Sequence, residues 1–353
     1  VFTSNSGTVV DKGELEAFCQ DGEFFMDMKE VLTNPSFVST TNTAVAATDA
    51  VINYPSVSKG ASPDDVYFDD AVINIYSKKN RKDRKNISIY DREYVKTEEI
   101  TRQIREMCIE ANHFLSSDMK EVFDQAVKKE ESPLGRQILN QLEENLKIAG
   151  EDMIPICQDT GMAVIFIKAG QEVHFEGGSL TDAVNEGVRQ GYVDGYLRKS
   201  VVRDPIEREN TKDNTPAIIH YEIVEGDQVD ITVAPKGFGS ENMSRVFMLK
   251  PADGIEGVKE AILTAVKDAG PNACPPMVVG VGIGGTFEKC ALMAKHALTR
   301  NLHEISPVPY VRELEKEMLE KINNLGIGPG GLGGRVTAFA VNIETYPTHI
   351  AGL

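Results

Sequence analysis

Cysteine and long apolar runs are both scarce in this sequence. Five cysteines, at positions 19, 108, 157, 274 and 290 of 353 residues, are too few and too scattered for a disulfide framework in a chain of this length. We therefore expect free or metal-bound thiols and a reducing, cytoplasmic compartment. No run approaches the roughly 18 consecutive apolar residues of a membrane span, and the first residues lack a secretory leader pattern. The sequence therefore predicts no membrane segment.

Positive charge is also in deficit. The chain carries 37 lysines and arginines against 54 aspartates and glutamates, which gives a formal net charge of -17. Nucleic acids and anionic membranes bind clustered positive charge, so this balance argues against either partner. One basic run, SKKNRKDRKN at 77–86, can be interpreted as a nucleic-acid patch or as a solvated linker, and the acidic whole favours the linker.

The amino-acid composition of the sequence changes near Asp91. Residues 1–91 are rich in Ser, Thr, Asn, Pro and Gly, which is typical of loops or short strands, and we assign this extension no function. A helical hairpin is predicted next, with one helix beginning at Thr97 and the other at Ser132-Pro133. The second helix is expected to end at Gly150 and to bury one apolar stripe, formed by Leu134, Ile138, Leu142 and Leu146.

Strand and helix patterns alternate after the hairpin. The β-rich runs cover 163–168, 216–224, 229–235, 277–283 and 336–343. Helical spacing lies between them at 179–197, 254–270, 286–298 and 308–326. This alternation predicts an α/β domain over 92–353, with a central mixed β-sheet flanked by helices.

Two cysteines stand in unusual surroundings. Cys157 lies in IPICQDTGMAV (154–164), where polar residues follow it at once, and Cys274 lies in PNACPP (271–276), where prolines forbid a helix. Each thiol is therefore expected on a rigid turn, which suits a metal ligand or a nucleophile, although a plain polar turn remains an alternative. Cys108 and Cys290 fall on apolar helix faces and are interpreted as core residues, and Cys19 has no such context.

Three glycine-rich turns can bind anions. VGVGIGGTFEK (279–289) runs from a strand through glycines into a helix but meets the dinucleotide fingerprint only in part. APKGFGSENMS (234–244) can aim backbone N–H groups at an anion, and GIGPGGLGG (326–334) is predicted to be a loop.

Asp159 and His349 complete the set of candidate reactive residues. His349 follows a predicted strand, and a histidine has the pKa for proton transfer near neutrality. Together with the two cysteines, these residues suggest a metal site with an open position.

From Arg92 to Leu353 the sequence resembles the α subunit of the two-subunit, iron–sulfur class I fumarate hydratases, with the L-tartrate dehydratase α subunit as close kin. The matching stretches, in order, are ICQDTGMAV, GYLRKSVVRDP, NTKDNTPA, APKGFGSENMS, GPNACPPMVVGVGIGGTFEKCALMAKHAL and LGIGPGGLGG. The resemblance implies reversible hydration of fumarate to L-malate on a 4Fe-4S cluster that three cysteines hold, with the fourth iron open to the substrate hydroxyl. Tartrate dehydration is the alternative within the enzyme class.

The resemblance also implies individual roles. Cys157 and Cys274 match cluster ligands, and Gln158, Arg198 and Gly239 match positions that hold the small dicarboxylate substrate. Asp159 and His349 match acid–base or site-organising positions. The base that removes the carbon-bound proton is expected on a β subunit, so the chain alone should be inactive.

Two departures from the family pattern bear on these roles. The third cluster cysteine is expected beyond Leu353, so we interpret the C-terminus as truncated, and the chain as given can instead be a non-catalytic fragment. Phe238 stands in a turn that is all glycine in some members of the family. If the turn contacts its ligand through the backbone N–H, the phenylalanine side chain need not abolish that contact.

Overall fold

The computed structural model describes residues 93–353 and five short strands before them. Those strands, β1 to β5, form one antiparallel sheet in the order β2-β1-β3-β4-β5. Their bounds are Phe2–Ser4, Val9–Val10, Ala44–Ala47, Ala50–Asn53 and Asn74–Ser77. Cys19 and the basic run, apart from Ser77, lie outside the described residues. The chain divides into two compact units, of which residues 95–170, 175–224 and 229–353 make the second.

Three helices, rather than the predicted two, open the second unit. Strand β6 (Glu93–Lys96) leads directly into α1 (Thr97–His113). Helix α2 (Ser117–Lys129) was not predicted, and α3 (Pro133–Asp152) follows it. The α/β class and the helices that precede the sheet are confirmed. The sequence pattern did not reveal α2, because its buried residues Phe123 and Ala126 stand between charged positions that weaken the apolar pattern. The predicted hairpin is therefore a three-helix segment.

The prediction of which face of α3 is buried is wrong. Ser132 caps the helix as expected, accepting a hydrogen bond from the Gly135 N–H at 3.1 Å. Leu139 is fully buried, whereas the side chains of Leu134 and Leu142 are exposed. Gly150 lies inside the helix, which ends two residues later at Asp152 and is followed by a left-handed Met153. The side of α3 that packs is set by neighbouring elements, which the apolar spacing alone does not reveal.

A three-stranded mixed sheet forms the first core of this unit. Strand β7 (Met162–Gly170) is central, antiparallel to β10 (Val229–Lys236) and parallel to β9 (Ile218–Val224). The short strand β8 (Val173–Glu176) comes between β7 and helix α4 (Leu180–Asp194). Apolar residues of α1 and α4, including the buried Cys108, cover one face of the sheet. The prediction that Cys108 is a core residue is confirmed.

A two-stranded parallel sheet forms the second core. Strands β11 (Met277–Gly284) and β12 (Ala338–Tyr346) pair with each other, and helices cover them. After the short helix α5 (Phe238–Glu241), these helices are α6 (Gly254–Ala269), α7 (Phe287–Ala297) and α8 (Pro309–Asn323). All four sequence intervals with helical spacing after the hairpin therefore contain a helix. Single 3-10 turns cover Pro251–Asp253, Gly270–Ala273 and Pro329–Gly331.

The glycines of GVGIGG serve helix packing. A Cβ added at Gly282 would lie 2.1 Å from the carbonyl oxygen of Cys290, and one at Gly280 would lie 2.1 Å from that of Ala294. Helix α7 therefore contacts the backbone of β11 through residues that have no side chain. This close approach explains why glycines occupy these positions, and no nucleotide site is needed to explain them. Cys290, predicted to be a core residue, is partly exposed, and its thiol donates to the Phe287 carbonyl at 3.2 Å.

Glu130 is a buried carboxylate between α2 and α3. It is 2 % exposed, and its oxygens accept backbone N–H groups of Ser132, Arg335 and Val336 at 2.7–2.9 Å. Burial disfavours the charged form, but these backbone hydrogen bonds together outweigh it and hold the pKa of Glu130 below the ordinary glutamate range. The carboxylate thus attaches the segment before β12 to the helical region.

No helix within the described residues has both the length and the apolar character needed to cross a membrane.

Candidate active site

The ICQDTG motif forms an irregular turn between α3 and β7. Cys157 and Gln158 are exposed, and the backbone N–H of Asp159 points at the Cys157 sulfur at 3.5 Å. The thiol in turn lies 3.4 Å from the Gln158 side-chain oxygen. An exposed sulfur with a backbone donor beside it can act as a metal ligand or a nucleophile.

Asp159 attaches this turn to the KGFGS turn. One carboxylate oxygen accepts the Gly161 N–H at 3.0 Å, and the other accepts the Phe238 N–H at 2.9 Å. Gly161 has φ +70°, and a Cβ there would lie 2.3 Å from the carbonyl carbon of Lys236. Two segments nearly eighty residues apart in sequence therefore meet with almost no space between their backbones. The contacts of Asp159 are those of a residue that organises a site.

Thr160 attaches the same turn to the segment that carries Arg198. Its buried hydroxyl accepts the Arg198 N–H at 2.9 Å and lies 3.2 Å from the Arg198 carbonyl. The hydroxyl oxygen of Tyr192, a fully buried residue of α4, lies 2.7 Å from the Thr160 carbonyl. Burial raises the pKa of Tyr192 well above its usual value, so the hydroxyl stays a donor.

Asn214 makes a second connection between these segments. It is fully buried with φ +62°, a left-handed conformation that asparagine tolerates better than most residues. Its amide nitrogen donates to the Gly161 carbonyl at 3.1 Å, while its oxygen accepts the Ser200 and Val201 N–H groups at 2.7 and 3.2 Å. The position of the Arg198 segment relative to the ICQDTG turn is thus fixed by buried polar contacts.

The Arg198 side chain is exposed and available to a ligand. Among the described residues its guanidinium makes no hydrogen bond or ion pair, although its backbone is held on both sides. A guanidinium presents a planar fork of donors that matches a carboxylate. This combination of a fixed backbone and a free head group suits recognition of an acidic substrate.

A charged network stabilises the KGFGS turn internally. Lys236 donates to the Ser240 hydroxyl at 2.6 Å and to the Gly237 carbonyl at 3.3 Å, and it lies 3.6 Å from Glu241. Glu241 also pairs with Lys295 of α7. Burial, assisted by the charge of Lys295, holds the pKa of Lys236 below its usual value even though Glu241 opposes the shift. Lys236 is therefore committed to the turn.

Cys274 ends the 3-10 turn at Gly270–Ala273 in a left-handed conformation, with φ 54° and ψ 62°. Its thiol is exposed, and its N–H donates to the Pro271 carbonyl at 3.0 Å. The same turn contacts the KGFGS turn, because a Cβ added at Gly239 would lie 3.1 Å from the Asn272 carbonyl oxygen. A series of contacts thus connects the two cysteine turns through Asp159, the KGFGS turn and Asn272.

His349 is exposed in the turn after β12, and its hydrogen bonds stay within that turn. Its Nδ1 accepts the Ala351 N–H at 3.1 Å, and its carbonyl accepts the Gly352 N–H. The neighbouring Thr348 hydroxyl donates to the Gly285 carbonyl at 3.0 Å, which attaches the turn to the end of β11. No contact recorded for His349 reaches Cys157, Asp159 or Arg198.

The candidate ligands fit a metal group in part. Both thiols are exposed on irregular backbone, which leaves the sulfur atoms open to a bound group. Within the described part of the chain, however, no group of three or more His, Cys, Asp or Glu side chains is placed to hold a metal ion. The two cysteines are therefore an incomplete donor set by themselves.

Sequence reasoning missed several residues that build the site. Thr160, Tyr192 and Asn214 hold the turns together, and none was assigned a role. A tyrosine on the buried face of a helix needs a partner for its hydroxyl, which is the signal that would have found Tyr192. Asn214 lies in NTKDNTPA, a stretch already noted for its resemblance.

Comparison with known proteins defines the class. The family model described as "Fumarate hydratase (Fumerase)" matches residues 101–353, and a second model, described as DUF3108-like, matches residues 1–103. The "Putative L(+)-tartrate dehydratase subunit alpha" of Methanocaldococcus jannaschii is 42% identical over 260 residues, covering 72% of this chain and 91% of that protein. The L(+)-tartrate dehydratase subunit alpha of Escherichia coli K12 is 31% identical over 238 residues, covering 67% and 78%.

These matches place the chain among the hydro-lyases. More particularly, the chain belongs to the fumarate hydratase (fumerase) family, and the resemblance seen in the sequence is confirmed.

Proposed function

We propose that this chain is the α subunit of a 4Fe-4S hydro-lyase that adds water reversibly to fumarate to give L-malate. The observation that carries the proposal is the joining of the ICQDTG, KGFGS and Arg198 segments through Asp159 and Thr160. These contacts bring an exposed thiol, an amide, an arginine and a glycine turn into one region. Such a set supplies a cluster ligand together with groups for a carboxylate.

Cys157 and Cys274 would hold the cluster together with a further cysteine ligand. An iron that the protein leaves open supplies a Lewis acid for the substrate hydroxyl. Exposure of both thiols supports this assignment. The two residues contribute thiolate donors on turns that surrounding contacts hold in place.

Gln158, Arg198 and Gly239 would bind the dicarboxylate. The guanidinium of Arg198 would donate a fork of hydrogen bonds to one carboxylate, and the exposed amide of Gln158 would donate to another oxygen. Gly239 is exposed and would offer its backbone to the substrate. Asp159 would organise the site, as its two backbone hydrogen bonds suggest, and His349 would transfer a proton.

A β subunit is the proposed partner. The curated relatives are named as alpha subunits, which supports a partner chain. The β subunit would contribute the base for the carbon-bound proton and further cationic groups, so the α chain alone would be inactive. We place the complex in the cytoplasm, and we propose no nucleic-acid or membrane partner.

Tartrate is the second candidate substrate. The names of the relatives favour it, because those proteins are called L(+)-tartrate dehydratase subunits. The residues of this chain would contact groups that malate and tartrate share, namely a carboxylate and a hydroxyl. A non-catalytic fragment of the same fold is the third candidate.

One experiment separates these candidates. The full-length protein is expressed with its β subunit, reconstituted anaerobically with iron and sulfide, and assayed on L-malate, fumarate and L(+)-tartrate. We expect visible cluster absorbance and turnover fastest with malate and fumarate. Faster turnover of tartrate would select the second candidate, and a colourless, inactive complex would leave the third.

Single substitutions test the ligand assignment in the same complex. Cys157→Ser and Cys274→Ser should each lower bound iron and abolish turnover. Cys290→Ser is the matched control, because Cys290 is a partly exposed thiol already hydrogen-bonded within α7. Unchanged iron content in Cys157→Ser or Cys274→Ser would contradict the assignment.

A further inference from the structure

The glycine loop at 326–334 contacts the Cys274 turn on both sides of the cysteine. The Gly330 N–H donates to the Pro275 carbonyl at 2.8 Å. On the other side, Gly331 packs so closely that an added Cβ would lie 2.4 Å from the Pro271 Cβ. Pro271 is also the residue whose carbonyl accepts the Cys274 N–H. The loop therefore reaches both backbone segments that flank the thiol.

Cys274 requires support of this kind. It is one of the few non-glycine residues described with a positive φ, at 54°, and its side chain is exposed. A β-carbon disfavours this left-handed conformation, which persists only where surrounding contacts determine it. The contacts from Gly330 and Gly331 provide that determination from outside the turn.

The glycine loop is itself held in place. The Gly333 N–H donates to the Ile327 carbonyl at 2.8 Å and closes the loop across its base. The Gly328 N–H donates to the Thr337 hydroxyl at 3.0 Å. Beyond the loop, the buried Glu130 carboxylate accepts the N–H groups of Arg335 and Val336. The loop is thus attached both to the start of β12 and to the helical region.

We propose that the glycine loop is a clamp that fixes the Cys274 turn, with Gly331 as its positioning residue. The inference deepens the proposed function, since a fixed thiol matters here as a cluster ligand. It gives a role to a motif that sequence reasoning interpreted only as a loop. The absence of a side chain at position 331 is what allows the loop backbone to reach Pro271.

Gly331→Ala tests the clamp, and the chain offers a closely matched control in Gly326→Ala. The two glycines have φ +72° and +73°, so alanine meets the same backbone penalty at either position. A Cβ at Gly326 has no atom within 4 Å, whereas one at Gly331 meets Pro271. Any effect specific to Gly331→Ala therefore reports the contact with Pro271 and not the conformation of the glycine.

The first readout is amide hydrogen exchange of the full metal-free chain. In Gly331→Ala we expect the Cys274 amide to exchange about tenfold faster, as local opening becomes easier, while Gly326→Ala leaves its rate unchanged. The peptide containing Cys157 should be unaffected in both. Equal acceleration of the Cys274 amide in both variants, or in neither, overturns the clamp.

The second readout is the rate at which the reconstituted complex loses iron to a chelator. We expect faster loss in Gly331→Ala than in wild type or Gly326→Ala. An exchange effect without faster iron loss overturns the role of the clamp in ligand positioning. If wild type forms no cluster while the exchange pattern appears as expected, the clamp stands and the proposed function falls.

Should Gly331→Ala fail to fold, Glu130→Gln perturbs the loop from its far end. The substitution removes the negative charge of the carboxylate that accepts the Arg335 and Val336 N–H groups, and it does not alter the Cys274 turn itself. The Cys274 amide should again exchange faster than in wild type. An unchanged rate in a folded Glu130→Gln chain would overturn the proposal in that case.

Discussion

Glu130→Gln should destabilise the chain by more than a surface charge could account for. The substitution keeps the shape of the side chain but replaces one acceptor oxygen with an NH₂ group facing backbone donors. Three N–H groups now point at the carboxylate, from Ser132, Arg335 and Val336. Hydrogen bonds to a charged group contribute about 1.5–3 kcal/mol each, so the loss of one or two of them should cost about 1.5–6 kcal/mol.

The pH dependence of the loss follows from the direction of the pKa shift. Because the folded pKa of Glu130 lies below its unfolded value, its charge stabilises the fold above the unfolded pKa. That stabilisation is lost as the pH falls through the folded pKa, from about pH 5 downward. The difference between wild type and Glu130→Gln should therefore be full at neutral pH and shrink in acid.

Urea unfolding of the full chain, followed by far-ultraviolet circular dichroism at several pH values, measures both quantities. The control is Glu131→Gln, since Glu131 is the exposed neighbour and a surface substitution of this kind should stay within about 0.5 kcal/mol of wild type. The reasoning would be refuted by a Glu130→Gln effect as small as that of the control. A difference that does not change with pH would refute the charge-based part alone.

Two further predictions concern buried polar groups. Tyr192→Phe removes the hydroxyl beside the Thr160 carbonyl and should cost about 1–2 kcal/mol, seen as a melting temperature about 2–8 °C lower; an unchanged melting temperature would show that the hydroxyl does not hold the turn. Glu315→Ala should cost about 3–5 kcal/mol in urea unfolding, because it leaves the largely buried Arg300 without its carboxylate. Glu317→Ala on the same helix removes a partly exposed carboxylate, and its partner Lys259 keeps its ion pair with Glu256, so this change should cost at most about 1 kcal/mol. Equal losses in the two variants would contradict the burial argument.

Local sequence signals located most of the regular elements. The runs at 163–168 and 229–235 lie inside β7 and β10, because β-branched residues bounded by glycine and proline favour strands whatever their neighbours. Helix α2 escaped prediction since its few apolar residues are separated by charges, and its stability depends on packing against other elements. The same dependence explains why Leu139 on α3 is buried and Leu142 is not.

The candidate site, like the fold, could be predicted from local sequence only in part. Cys157 and Cys274 could be singled out from their immediate neighbours, because proline and adjacent polar residues exclude regular structure around them. The bond from Phe238 to Asp159 spans 79 residues, and no local pattern carries that distance. Which segments meet is decided by the sheet and by buried connectors such as Asn214. The roles of all seven candidate residues stay predictions, namely Cys157, Gln158, Asp159, Arg198, Gly239, Cys274 and His349.

The bond between Asp159 and Phe238 has an evolutionary consequence. The attachment uses only the backbone N–H of position 238, while the Phe238 side chain is 44% exposed. Any residue except proline can supply that N–H, so mutation at this position leaves the anchor intact. A lineage can therefore vary this exposed side chain step by step without losing the attachment between the two turns.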